Sequence, residues 1–215
     1  MGKPAGMERD ADGAAVAGVM ARIVVDGADP LRSNHPMTRD PRPVRSIETP
    51  VGTLAVGCRD GEPVVEWLTS GAPPPPFDAD DPAQLRLADA IERAFAGDPS
   101  ALDSIPTGRG TDFERRVWEA CRTIPRGETR SYGWIAATIG AHRAAARAVG
   151  QALRRNPLPV VVPCHRVVAA SGLGGYAGDR TGALAEIKRR LLRFESGSSQ
   201  EPGQPDRPHG TAIAF

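Results

Sequence analysis

The 215-residue chain has few cysteines, and the three it has, Cys58, Cys121 and Cys164, form no C-x-x-C pair and show no metal-ligand spacing. That leaves no basis for a disulfide framework or a Cys/His metal site, no cofactor is expected, and a sparse odd count fits a reducing compartment. No run approaches the ~20 apolar residues of a membrane-spanning helix. Ala14 to Val25 is mildly apolar, but acids precede it and Arg22 interrupts it, so the basic start of a signal peptide is missing. The expected setting is cytoplasmic, away from membranes. Net charge is also scarce, at +1, and by itself points to no partner. The local deficits are more informative. Residues 46–107 hold no lysine and three arginines against eleven acids, whereas residues 120–166 hold eight arginines and one acid, Glu128. Halves of opposite sign imply that one of them faces a polyanion, although a solvated surface with chance asymmetry is the plainer alternative.

Composition and periodicity divide the chain into a flexible tail over 1–42, a small α/β unit over 43–107, a mostly helical unit over 108–196 and a disordered tail over 197–215. Val44–Ser46, Thr53–Cys58 and Pro63–Leu68 read as short antiparallel strands, with Asp60-Gly61 as a hairpin turn. Gly71 to Pro76 is a stiff proline loop. Leu85, Ala88, Ile91, Ala94 and Phe95 repeat at helical spacing, and Gly97 to Gly110 is a linker. Asp112 is the expected cap of a helix buried through Phe113, Val117, Trp118 and Cys121. Ser131 caps the next helix, and Gly140-Ala141 turns the chain into a third, from His142 to Arg155. Helix, glycine turn, helix is the layout of a helix-turn-helix. On the third helix Val149, Ala152 and Leu153 share one face, and Arg143, Arg147, Gln151 and Arg154 share another. Such a face is either ordinary solvated surface or a DNA-facing one.

The most informative stretch is Pro163-Cys164-His165-Arg166-Val167, which follows Pro159-Val160-Val161-Val162, read as a short buried strand. A thiol reacts as thiolate, and neighbouring positive charge lowers its pKa. Inert core packing is the common fate of a free cysteine. Here a rigid proline before it and a His-Arg pair after it favour a nucleophile. Cys121 falls at helical spacing from Phe113 and Val117, and Cys58 ends a strand-like stretch, so both read as structural.

The run Asn156 to Val168 resembles the active-site segment of the O6-alkylguanine-DNA alkyltransferases, also called methylated-DNA–protein-cysteine methyltransferases. Further landmarks of the resemblance are Phe113-Glu114-Arg115-Arg116-Val117-Trp118, Ile124 to Tyr132, Ala146-Arg147-Ala148-Val149-Gly150, Gly175-Tyr176-Ala177-Gly178 and Lys188 to Glu195. Upstream, Thr49 to Leu54 resembles the start of the family's N-terminal domain. Roughly residues 46–196 are covered.

The resemblance implies suicidal repair: an alkyl group passes once from O6-alkylguanine, and from O4-alkylthymine, in double-stranded DNA to Cys164. It implies a monomer that flips the damaged nucleotide out of the duplex. His165 would be the base, through a water, and Glu195 would hold it. Tyr132 would crowd the flipped nucleotide's phosphate and then donate a hydrogen bond to the purine. Arg147 would fill the vacated stack. Ser131 and Arg154 would join the DNA contacts, and Asn156 would tie the third helix to the active-site segment. Pro159 and Tyr176 would wall the pocket. Backbone groups of Val167 and Ala177 would face the base edge, and Arg166 would brace the loop through backbone carbonyls. Asp179-Arg180-Thr181-Gly182 departs from the family pattern as an apparent insertion in the loop over the base. A non-enzymatic lesion-binding protein of the same fold is the alternative, and Cys164 argues against it.

Overall fold

The computed structural model describes residues 23–24, 45–69 and 82–197. Four antiparallel strands in the order β1-β2-β3-β4 make one sheet. They are β1 (Ile23–Val24), β2 (Arg45–Thr49), β3 (Gly52–Arg59) and β4 (Glu62–Leu68). Asp60 and Gly61 both take positive φ, 54° and 74°. That pairing gives the tight turn whose twist matches a two-residue hairpin, and it sets Val56 opposite Val65. β1 falls within the stretch read as mostly tail: Ile23 and Val24 pair with Ile47 and Ser46. Two β-branched residues give too short a signal to find from the sequence. The expected start at Val44 and the proline loop lie outside the described residues, as do residues 198–215.

Helix α1 (Pro82–Phe95) covers the sheet with Leu87, Ala88, Ile91 and Ala94. Gln84, buried in the interface, donates from Nε2 to the Val56 carbonyl at 3.0 Å. The expected linker after it contains a helical turn at Pro99–Leu102.

The second half is helical. α2 (Asp112–Arg122) is capped by Thr111 rather than Asp112. Thr111 Oγ1 accepts from the Glu114 amide, and the Glu114 carboxylate accepts from the Thr111 amide. This reciprocal pair satisfies two end donors at once, which Asp112 cannot do from inside the helix. A two-residue strand β5 (Arg130–Ser131) leads into α3 (Tyr132–Thr138), where Ser131 Oγ accepts from Trp134 N at 3.1 Å. Gly140, at φ 70°, closes α3. The third helix begins with a tighter turn over Arg143–Ala145, capped by His142, before α4 (Ala146–Arg154). Trp118 Nε1 donates to the Ala152 carbonyl at 2.9 Å and fixes α2 against α4. β6 (Val167–Val168) pairs in parallel with β5, and α5 (Ala183–Ser196) closes the structure. No helix among the described residues is long and apolar enough to cross a membrane.

The core is continuous from the sheet through the helices. β4 links the two directly: Val65 N donates to the Pro157 carbonyl at 2.9 Å.

Candidate active site

Cys164 opens a helical turn, Cys164–Arg166, on a segment that is buried but is not the expected strand. Val160 adopts φ 78°, and Val162 N bonds back to the Leu158 carbonyl at 2.9 Å. The prolines at 157, 159 and 163 remove donors that a strand ladder would need, so the run folds into consecutive turns. Asn156 holds them. Its Nδ2 donates to the Val162 carbonyl at 3.0 Å and lies 3.3 Å from Cys164 Sγ, while its Oδ1 accepts from Leu158 N.

Burial pushes the Cys164 thiol upward, against the smaller downward pull of Asn156 and Lys188. The expectation that neighbouring charge depresses it is corrected: desolvation dominates. The resting group is a thiol, so its proton must leave when it reacts. His165 is 1% exposed, and burial lowers its pKa despite the carboxylate beside it. It is a neutral imidazole at neutral pH. Its Nε2 lies 3.0 Å from Glu195 Oε1, close but poorly directed for a hydrogen bond, and Nδ1 has no partner among the described residues.

Glu195 is fixed by Arg166 more firmly than by the histidine. Arg166 Nε and Nη2 grip both carboxylate oxygens at 2.9 and 2.7 Å, and Nη1 donates to the Ile124 carbonyl at 2.7 Å. The expected brace on a carbonyl is there, and the grip on Glu195 adds to it. His165 and Arg166 outweigh burial and hold the Glu195 carboxyl far below the usual range.

Above Cys164 is an open cavity of about 410 Å³, rimmed by Tyr132, Arg147, Arg154, Tyr176, Ala177 and Arg180. The Tyr132 hydroxyl donates to the Gly175 carbonyl at 3.3 Å, and burial raises its pKa. A second cavity of about 220 Å³ meets Cys164 from the sheet side, between Trp67, Pro159, Tyr176 and Leu184. Trp67 Nε1 donates to the Tyr176 hydroxyl at 2.9 Å, so the wall tyrosine is held by the sheet.

Around the Cys164 thiol the structure gathers Tyr132, Asn156, Pro159, Tyr176, Ala177, Arg147 and Arg154, while the paired His165 and Glu195 line a separate small pocket. Two expected residues sit differently. Ser131 Oγ is engaged as a helix cap, and the Val167 carbonyl accepts from Lys188 Nζ at 2.7 Å. Sequence reasoning missed Lys188 and Trp67. Lys188 is fully buried, also bonds the Gly175 carbonyl at 3.0 Å, and is drawn down by burial to about 8. A signal existed: apart from Lys3 it is the only lysine in a chain that otherwise uses arginine.

Residues 112–197 match the family described as 6-O-methylguanine DNA methyltransferase, DNA binding domain. A methylated-DNA–protein-cysteine methyltransferase of Mycolicibacterium paratuberculosis is 44% identical over 152 residues, covering 68% of this chain and 92% of that protein. The constitutive enzyme of that name from Bacillus subtilis is 46% identical over 112 residues, covering 52% of this chain and 65% of its own. The crystal structure of Mycobacterium tuberculosis O6-methylguanine methyltransferase superposes with a TM-score of 0.53 at 38% identity, covering 71% of this chain and 91% of that one. The M. tuberculosis protein in complex with DNA gives 0.52 at 36% identity, over 71% and 92% of the two chains.

Proposed function

This chain belongs to the methylated-DNA–protein-cysteine methyltransferase family, and from that premise we propose that it repairs DNA by moving an alkyl group from O6 of an alkylated guanine to Cys164. DNA is its partner, and the alkylated base in a duplex is its substrate. The observation that carries the reading is a buried thiol lining an open cavity, next in sequence to a buried histidine whose Nε2 lies 3.0 Å from Glu195, with arginines at the mouth.

The damaged O6 lies inside the duplex, so the nucleotide must be extruded. α3, the turn at Gly140 and α4 act as a helix-turn-helix, the finer architecture of residues 108–196, after a sheet-bearing unit over 43–107. α4 enters a groove, and Arg147 takes the vacated place in the stack. The flipped base lies between Tyr132 and Tyr176, with the Ala177 amide facing its edge and Pro159 beside the alkyl group.

His165 then accepts the Cys164 proton, through a bridging water, at its unpartnered nitrogen. The sulfur attacks the alkyl carbon, an S–C bond forms and the C–O6 bond breaks. The guanine takes the electron pair and receives the proton that His165 holds. Tyr132 donates to the purine ring as that charge develops. Glu195 keeps the imidazolium favourable while it exists. A thioether offers no easy leaving path, so each molecule reacts once, as a monomer in the cytoplasm. A lesion-binding protein without transfer has no use for the reactive thiol.

Incubation with methylated duplex followed by peptide mass mapping tests this. The Cys164 peptide alone should gain one methylene, to one equivalent. Gain on the Cys58 or Cys121 peptide, or continued turnover, would refute it.

A further inference from the structure

The segment Asp179-Arg180-Thr181-Gly182 is not a loose excursion. Asp179 exchanges two backbone hydrogen bonds with Tyr176, both at 2.8 Å, across a turn through Ala177 and Gly178 at φ 47° and 92°. Its carboxylate accepts from the amides of Thr181, Gly182 and Leu184 at 3.0, 2.8 and 3.0 Å. These amide bonds keep Asp179 ionised. Gly182, the residue before α5, makes no side-chain cap, and Asp179 supplies that function from three residues back. Arg180 is therefore presented from a fixed backbone.

Its side chain turns toward the site. Arg180 Cγ lies 3.7 Å from where a Cβ on Gly175 would stand. Its charge acts on the Tyr132 hydroxyl in the downward sense, and it lines the same cavity as Cys164. α4 contributes Arg147 and Arg154 to the same cavity, and Arg154 Nε lies 2.7 Å from where a Cβ on Gly178 would stand. None of these three arginines belongs to an ion pair within the described residues, in contrast to Arg166, Arg155 and Arg130, which each hold a glutamate. Unpaired guanidiniums on two elements that line one cavity, α4 and the 177–180 turn, match a strand whose phosphates cross its mouth beside an extruded nucleotide.

We propose that Arg180 is a DNA-gripping residue, which binds a backbone phosphate beside the flipped nucleotide from the 177–180 turn. The inference rests on the proposed transfer reaction. It assigns the inserted segment a role in holding the damaged strand, and the chemistry itself stays with Cys164.

The test uses the full chain with Arg180→Gln and Arg180→Lys. Single-turnover rates are measured on O6-methylguanine duplex at several salt concentrations, and on free O6-benzylguanine. With Arg180→Gln the duplex concentration for half-maximal rate should rise about 5- to 10-fold at low salt. The slope of log affinity against log salt should flatten by about one phosphate contact. The ratio of duplex to free-base reactivity should fall accordingly, and Arg180→Lys should restore the slope. An unchanged salt slope, or an equal loss on duplex and free base, overturns the assignment, because Arg180 then acts on the pocket. Failure of the wild-type chain to transfer at all would instead refute the proposed function, and is read independently of either variant.

Discussion

Two sets of arginines, one beside Glu195 and one at the mouth of the Cys164 cavity, are treated in opposite ways. Two residues after Cys164, Arg166 is mostly covered and fully engaged, with both carboxylate oxygens of Glu195 and a backbone carbonyl. At the mouth, Arg147, Arg154 and Arg180 have no acid partner in the described residues. The contrast separates two jobs of one side chain. A desolvated charge without a partner is expensive, so the inner guanidinium serves the histidine by fixing its carboxylate. An exposed charge costs little to leave open, so the outer ones are free for a ligand that brings its own negative charge.

The largest effect should come from the centre of this contrast. Cys164→Ser should abolish transfer to duplex and free base alike while retaining binding to damaged duplex in a gel-shift assay. Loss of binding would mean that the thiol supports the fold. Next comes the inner pair. Glu195→Ala leaves Arg166 buried without a counter-charge and should cost about 3–5 kcal/mol in urea unfolding. Glu195→Gln should recover much of that stability yet slow transfer by about 10²-fold. Wild-type transfer by that variant would show that His165 does not use the carboxylate.

Lys188 gives a pH readout. Its native pKa is about 8 against an ordinary 10.5, so the protonated form burdens the fold. That burden is full below the native value and disappears above the unfolded one. Stability relative to Lys188→Met should therefore increase from pH ~8 to ~10.5, by up to ~3 kcal/mol. A flat difference would show that the buried amine does not titrate. Smallest is the rim. Arg147→Ala should slow duplex repair by about tenfold and free-base reaction far less, since only the duplex pays for unstacking. Equal slowing would remove its role in extrusion.

What was legible in the sequence was short-range. Asp60-Gly61 dictates its turn, Ser131 caps the helix it starts, and Cys164 was conspicuous between Pro163 and His165. What was not legible depends on distant partners or on competition between effects. Thr111 outcompetes Asp112 as a cap because it has Glu114 to exchange bonds with. Pro159 to Val162 has strand composition, yet its flanking prolines force turns. The direction of the Cys164 shift was misjudged because neighbours are visible in sequence and burial is not. Trp67 meets Tyr176 across 109 positions, and no local pattern announces that bond.

That bond has a mechanical consequence. Val65 and Trp67 are two apart on β4. One holds the Pro157 carbonyl by its amide, and the other holds the Tyr176 hydroxyl by its indole. A single strand thus spans the two segments between which the smaller cavity opens. The width of that opening is not a property of the helical half alone. It inherits the stiffness of a hairpin edge, so warming that loosens the sheet should loosen the wall of that cavity.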